Sequence, residues 1–205
     1  MDVEFEYGDG MMTASLPDDA VVVRPETATH EPPPLADPLA ATRAALDSPL
    51  GSDPVRALVQ RGSTVTIGFP DRVKGGAHET AHRKAAMKML LEELDHAGVR
   101  REDVHLVCAI GLHRKNRRDE FVDYLGREVV DAVPAANLVN HDAEDPDGMV
   151  DLGTSELGDP VAMNRALAES DLSILIGHTA GNPYGGFSGG YKMTSTGLTS
   201  WRSIA

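Results

Sequence analysis

From Ser63 to Gly177 short apolar runs alternate with longer amphipathic ones, and that rhythm leaves few architectures open. STVTIGF (63–69), VHLVCAIG (104–111), ANLVNH (136–141) and DLSILIG (171–177) are of strand length. The first is β-branched, and the continuous apolar character of these runs suits strands covered on both faces. Between them lie segments of helical length. Residues 78–97 carry Met87, Leu90, Leu91 and Leu94 at helical spacing, 118–126 closes on Gly126, and 160–170 reads PVAMNRALAES. Strands alternating with helices of this length predict an α/β domain, a mostly parallel sheet with helices on both faces.

The first third is less regular. VEFEYG and the valines at 21–23 predict short strands, and HEPPPLADP is a stiff proline-rich connector. Residues 1–35 are therefore expected to form an amino-terminal β segment with its connector, and 36–205 the α/β domain. Asp37-Pro38 and Asp53-Pro54 each place an N-cap before a proline tolerated at the first helical position, predicting helices over PLAATRAALD and PVRALVQRG. The closing LTSWRSIA reads as a helix being entered. The sequence is accordingly expected to be the front part of a longer protein with a second domain.

Composition excludes several function classes. Lys and Arg number 19 against 32 Asp and Glu, a net charge of −13, which repels nucleic acid and anionic membranes. No apolar run has membrane-spanning length and the acidic start is unlike a signal peptide, so a soluble, cytoplasmic protein is expected. The single cysteine, Cys108, rules out an internal disulfide and a cysteine-based zinc site.

In open parallel sheets, ligands bind beyond the carboxyl ends of the strands. The first core strand runs into Asp71, Arg72 and Lys74; the second into His113 and Arg114; the last into His178, Asn182 and Lys192. Polar residues after one strand are ordinary loop chemistry. After three strands they predict a shared site holding acid, imidazole and amine. HETAH (78–82) spells the H-E-x-x-H of zinc hydrolases, with His78 and His82 as ligands and Glu79 as base. Its place just after Gly75-Gly76, with Arg83 and Lys84 following, fits an exposed polar helix start better. GGFSGGYK (185–192) has the glycines of a phosphate loop but not its order. Tyr191 separates Gly190 from Lys192, and Met193 stands where a magnesium-binding hydroxyl is needed. What is left for Lys192 is an amine, among small residues, able to link covalently to a carbonyl-type group.

GGFSGGYK, GLHR and FPDRVK, with SPLGSDPVRALVQRG and FEYGDGMMTASLP upstream, make this sequence similar to the nickel-dependent lactate racemase family over nearly its whole length. The resemblance implies a nickel pincer nucleotide, a pyridinium mononucleotide with thioamide and thiocarboxylate sulfur ligands. Lys192 matches the lysine that forms the thioamide, and Ser188, Gly189, Gly190, Asp71 and Arg114 fall around the cofactor. His113 matches a catalytic acid/base; Asp71 matches a catalytic aspartate, and Lys74 replaces an arginine. The implied reaction is racemisation or epimerisation of a small 2-hydroxy acid: hydride passes from the α-carbon to the cofactor, a keto acid forms transiently, and hydride returns to the opposite face. Enzymes of cofactor synthesis are implied partners. The pattern departs at Asn182, where the family has a second catalytic histidine, which sets this chain apart from a standard lactate racemase; His178 is the nearest substitute. The resemblance places the nickel-ligating histidine beyond residue 205, so no metal ligand is expected within the chain. A non-catalytic domain binding a nucleotide or hydroxy acid is the alternative.

Overall fold

The structure, a computed structural model, describes residues 1–7, 10–23, 33, 35–71, 82–182 and 186–204. Its contacts divide the chain into Met1–Ala36 and Asp37–Ala205. In the first unit, β1 (Asp2–Tyr7) and β2 (Gly10–Ser15) form an antiparallel hairpin with Val3 opposite Ala14 and Phe5 opposite Met12. The period of two puts Val3, Phe5 and Tyr7 on one face and Asp2 and Glu4 on the other. The terminal amine closes the hairpin by donating to Leu16 O and Asp18 Oδ1. Residues 21–23 form no strand: Val21 and Val23 are exposed, with no ladder partner among the described residues.

The second unit opens with α1 (Pro38–Asp47), capped by Asp37 Oδ1, which accepts from Leu39 N and Ala40 N. Next, α2 spans only Val55–Leu58, ending where Val59 turns extended and buried. The core follows: β3 (Val65–Pro70), α3 (Arg83–His96), β4 (Val104–Ala109), α4 (Arg118–Leu125), α5 (Arg127–Ala132) and β5 (Leu138–Asn140). A hairpin, β6 (Met149–Thr154) and β7 (Pro160–Asn164), leads to α6 (Arg165–Glu169) and β8 (Leu172–Leu175). A last small hairpin, β9 (Ala180–Asn182) and β10 (Gly186–Ser188), precedes a π-helical turn over Met193–Gly197 and α7 (Trp201–Ile204).

The helix expected over 160–170 is thus half strand. Residues 160–164 pair antiparallel with 149–154, and only from Arg165 does the chain turn helical, capped by Asn164 Oδ1 on Leu167 N. The apolar spacing of PVAMNRALAES fits a helix, but the facing MVDLGT supplies a ladder, and pairing overrode local propensity.

The core sheet has the order β5-β4-β3-β8 and is parallel throughout. Val65, Ile67 and Phe69 of β3 and Val104, Leu106 and Cys108 of β4 face α3, α4 and α5. On the opposite face Val107 packs with Leu167 and Leu198, and Thr66 Oγ1 bonds Ala166 O of α6. Fully burying each Val, Leu, Ile or Phe contributes about 1.5–3 kcal/mol, so this two-sided core dominates the stability of the domain.

Candidate active site

From β3 the chain steps to β4 and β5 along one side of the sheet, then crosses back to place β8 on the other side of β3. The reversal opens a crevice at the carboxyl ends of β3 and β8, the usual ligand position in such sheets. A cleft of about 230 Å³ lies beyond these strand ends, with Asp71, His113, Asn182, Ser188, Gly189 and Lys192 in its walls. Ile110, Leu112, Met193 and Ile204 add an apolar lining.

Asp71 follows β3 directly and is buried; His113 sits in the turn after β4 and is about half exposed. Their contact is short, Nδ1 to Oδ2 at 2.6 Å. A carboxylate only accepts, so Nδ1 carries the hydrogen and the neutral ring keeps its lone pair on Nε2. The turn is pinned by His113 N donating to Ile110 O and by Gly111 N donating to Gly197 O. Gly111 lies at φ +55°, and a Cβ there would stand 2.3 Å from Thr196 O. Only glycine lets the two segments close on one another.

Lys192 is the residue before the π-helical turn, and its Nζ donates to Phe187 O at 3.2 Å. Thr196 Oγ1 and Ser195 Oγ both donate to Lys192 O. These hydroxyls satisfy the lysine carbonyl where the widened turn departs from regular helix bonding. Upstream, Gly189 has φ +75°, and a Cβ there would fall 1.7 Å from His178 O. His178 thus packs through its backbone; its side chain is exposed and the residue is not among the cleft's lining.

Arg83, expected at an exposed helix start, is only 7% exposed. Its Nη1 donates to Pro70 O at 2.6 Å and Asp71 O at 3.3 Å, and its guanidinium lies 5.6 Å from the centre of the Tyr124 ring. Burial pushes its pKa down, while Cys108, Tyr124 and Asp71 push it back up; an arginine starts so high that it remains a cation. Desolvating such a group costs several kcal/mol, offset by charge-assisted bonds of about 1.5–3 kcal/mol each. The one sequence sign of this role is a cation in a first helical turn, where the dipole disfavours it.

Arg114 forms a two-pronged pair with Glu120 at 2.6 and 2.9 Å, and Glu120 also accepts from Arg117 N at the start of α4. The Arg114 guanidinium beside it, and that backbone bond, hold the Glu120 carboxyl at about 2. Burial drives the Cys108 thiol far up, so it stays protonated and unreactive at neutral pH. His141, which sequence reasoning did not single out, is fully buried after β5. Its Nε2–H donates to Thr199 O at 2.9 Å and its Nδ1 accepts from Asn164 Nδ2 at 3.1 Å, tying β5 to the crossover hairpin and the carboxyl-terminal segment.

Lys74 and Arg72 lie outside the described residues, as do His78 and Glu79 of HETAH. His82, its last residue, brings Nε2 against the Thr42 hydroxyl. Among the described residues no three His, Cys, Asp or Glu side chains gather as a metal site.

Fold and cleft together define a class: an open α/β domain wound on both faces, with its imidazole, carboxylate and amine at the switch point of a parallel sheet. The chain belongs to the lactate racemase N-terminal domain family, whose sequence profile matches residues 7–205. It is 27% identical over 159 residues to a lactate racemase of Lactiplantibacillus plantarum, covering 78% of this chain and 35% of that protein. It is 22% identical over 204 residues to a lactate racemase of Thermoanaerobacterium thermosaccharolyticum, covering 98% and 45%. The chain therefore spans less than half the length of these relatives. Its fold is similar to that of the lactate racemase apoprotein from Thermoanaerobacterium thermosaccharolyticum, with a TM-score of 0.69 at 22% identity over all of this chain and 45% of that one. A Thermotoga maritima protein gives a TM-score of 0.58 at 21% identity over 82% and 40%.

Proposed function

We propose that the protein containing this domain is a racemase or epimerase of a small 2-hydroxy acid, related to lactate racemase, and that the domain anchors a nickel pincer nucleotide through Lys192. The observation that carries this reading is the placement of Lys192 on the same cleft as the His113–Asp71 pair, in a chain of this family.

The groups present suit such a cofactor on two counts. A primary amine is the acceptor that an acyl or thioacyl group needs to form an amide-type link. At Gly189 the space a side chain would take is filled by the His178 carbonyl, so bare backbone lines the approach to that amine. Ser188, Gly189 and Lys192 would hold the group, with Asp71 lining the same cleft. When bound, the nucleotide supplies the hydride acceptor.

The chain's own residues supply the rest. His113 takes the substrate hydroxyl proton at Nε2 and returns it, a contribution of about 10²–10⁴-fold. Asp71 holds the ring in that tautomer and stabilises the imidazolium. The apolar lining thins water around the reacting groups and strengthens both effects. Asn182 offers hydrogen bonds but takes no proton, so either another group is the base for the opposite face or the substrate is not lactate. Lys74 is assigned the substrate carboxylate.

Mass spectrometry of the protein matured with the cofactor-synthesis enzymes is expected to show an adduct that disappears in Lys192→Ala. An unmodified Lys192 in active protein would overturn the anchoring role. Asn182 also favours a second reading, a domain that binds a nucleotide or hydroxy acid without turnover. Loss of optical activity from an enantiopure 2-hydroxy acid on incubation with metallated protein decides for the enzyme, and no loss from any of a panel decides for the binding domain.

A further inference from the structure

We propose that Arg83 is a positioning residue for His113, acting through the backbone at the end of β3. The inference rests on the assignment of His113 as acid/base only for its consequence in catalysis; the geometry stands without it. Asp71 is the first residue beyond β3, and its carboxylate must reach across to the turn after β4 to meet His113 Nδ1 at 2.6 Å. A residue one step past a strand has lost the ladder that fixes the strand. Here the chain is fixed by a buried cation instead: Arg83 Nη1 grips the last carbonyl of β3, at Pro70, and the carbonyl of Asp71 itself.

Arg83 is in turn immobilised. It starts α3, is 7% exposed, and lies over the Tyr124 ring, which packs edge-on to Phe121 and tilted against Phe69 of β3. The guanidinium therefore registers the first turn of α3, the end of β3 and the aromatic core against one another. Among the described residues, the titratable groups that face it include Asp71, Cys108 and Tyr124. Burial keeps the Cys108 thiol and Tyr124 phenol neutral at physiological pH. Asp71 thus answers to Arg83 through its backbone and to His113 through its carboxylate. Moving the arginine moves the atom that sets the imidazole's tautomer. A 1 Å displacement of a catalytic group costs on the order of 10²-fold in rate.

The test is ¹⁵N NMR of the histidines in this chain, with His113 assigned through His113→Gln, comparing wild type with Arg83→Lys and Arg83→Gln. Lysine keeps the charge but not the planar fork, and glutamine keeps a donor but not the charge. Wild type at alkaline pH is expected to show His113 protonated at Nδ1. Both variants are expected to shift the ring towards Nε2 protonation, as Asp71→Asn does, and the double variants with Asp71→Asn to add nothing further. A lower melting temperature with an unmoved His113 spectrum, or loss of the fold in both variants, makes Arg83 a structural arginine and overturns the proposal. Because the spectrum needs no turnover, a tautomer shift in a protein that racemises nothing upholds the positioning and removes the racemase reading instead.

Discussion

His113 and Asp71 stand 42 positions apart in the chain and meet at 2.6 Å, Nδ1 to Oδ2, because β3 and β4 are parallel neighbours whose ends lie side by side. Pro70 pairs with Ala109, so the residues just after each strand face the same crevice. Replacing Asp71 with asparagine keeps the shape and removes the charge, and the amide can then present either an acceptor or a donor to the ring. We expect Asp71→Asn to lower kcat for racemisation of a 2-hydroxy acid by about 10²–10⁴-fold with a small effect on KM, the pattern of a group that acts on an acid/base residue. The steady-state loss of optical activity of an enantiopure substrate with the metallated protein measures it. An unchanged kcat would detach Asp71 from the chemistry.

Gly189→Ala is expected to be severe. The new Cβ would sit 1.7 Å from a backbone oxygen at a φ of +75°, so both strain and collision apply. A loss of about 2–4 kcal/mol, or local rearrangement of the loop bearing Lys192, follows. Gly186→Ala is the control: its φ is +78° but nothing lies within 4 Å, and the cost should be about 1 kcal/mol. Chemical denaturation of the two variants side by side gives the comparison, and equal losses would argue against the contact at His178 O.

His141 carries a pH signature. Burial lowers its pKa below the ordinary 6.5, against opposing pulls from the Thr199 carbonyl and Asp142. Above 6.5 both folded and unfolded chains hold it neutral. Below 6.5 the unfolded chain takes up a proton that the fold resists, so stability falls as the pH falls. His141→Gln is expected to cost about 1–3 kcal/mol at pH 7.5 through lost hydrogen bonds, but to lose less than wild type between pH 7.5 and 5.5. Urea unfolding at both values reads the difference, and parallel losses in the two proteins would refute the assignment.

The Arg114–Glu120 pair has the opposite sign. Glu120 is held at about 2, well below its ordinary 4.5, so the stability it contributes is complete above 4.5 and vanishes as the pH drops through 2. Glu120→Gln should lower the melting temperature at pH 7, and the gap from wild type should close between pH 4.5 and 2. A gap that stays constant through that window would show that the carboxylate's charge is not what matters. Arg114→Lys, which cannot form both prongs, is expected to fall between the two.

Much of this architecture was legible because its local signals agreed. Asp37-Pro38 placed the start of α1, the apolar runs placed β3, β4, β5 and β8, and their alternation with helices predicted a parallel sheet with helices on both faces, as found. Residues 160–164 were misread because a short apolar run bears either period, and the strand that pairs with them lies on the far side of a turn. Arg83 was hidden for a related reason. Beside His82 and Lys84 it looks like one more surface charge, and only the packing of α3 against the end of β3 buries it.

Sequence alone determined the alternating architecture, the strand ends on which polar side chains fall, and the order of residues around Lys192 that disqualifies a phosphate loop, since these depend on residue types and spacings along the chain. Tertiary structure alone decided that His113 is partnered by Asp71, that Arg114 is taken by Glu120, that His178 contributes its backbone to the packing at Gly189, and that Arg83 is buried beneath the site. Those are choices among polar partners far apart in sequence. They are settled by which strand ends the sheet order brings together and by the cost of leaving a buried charge without a partner.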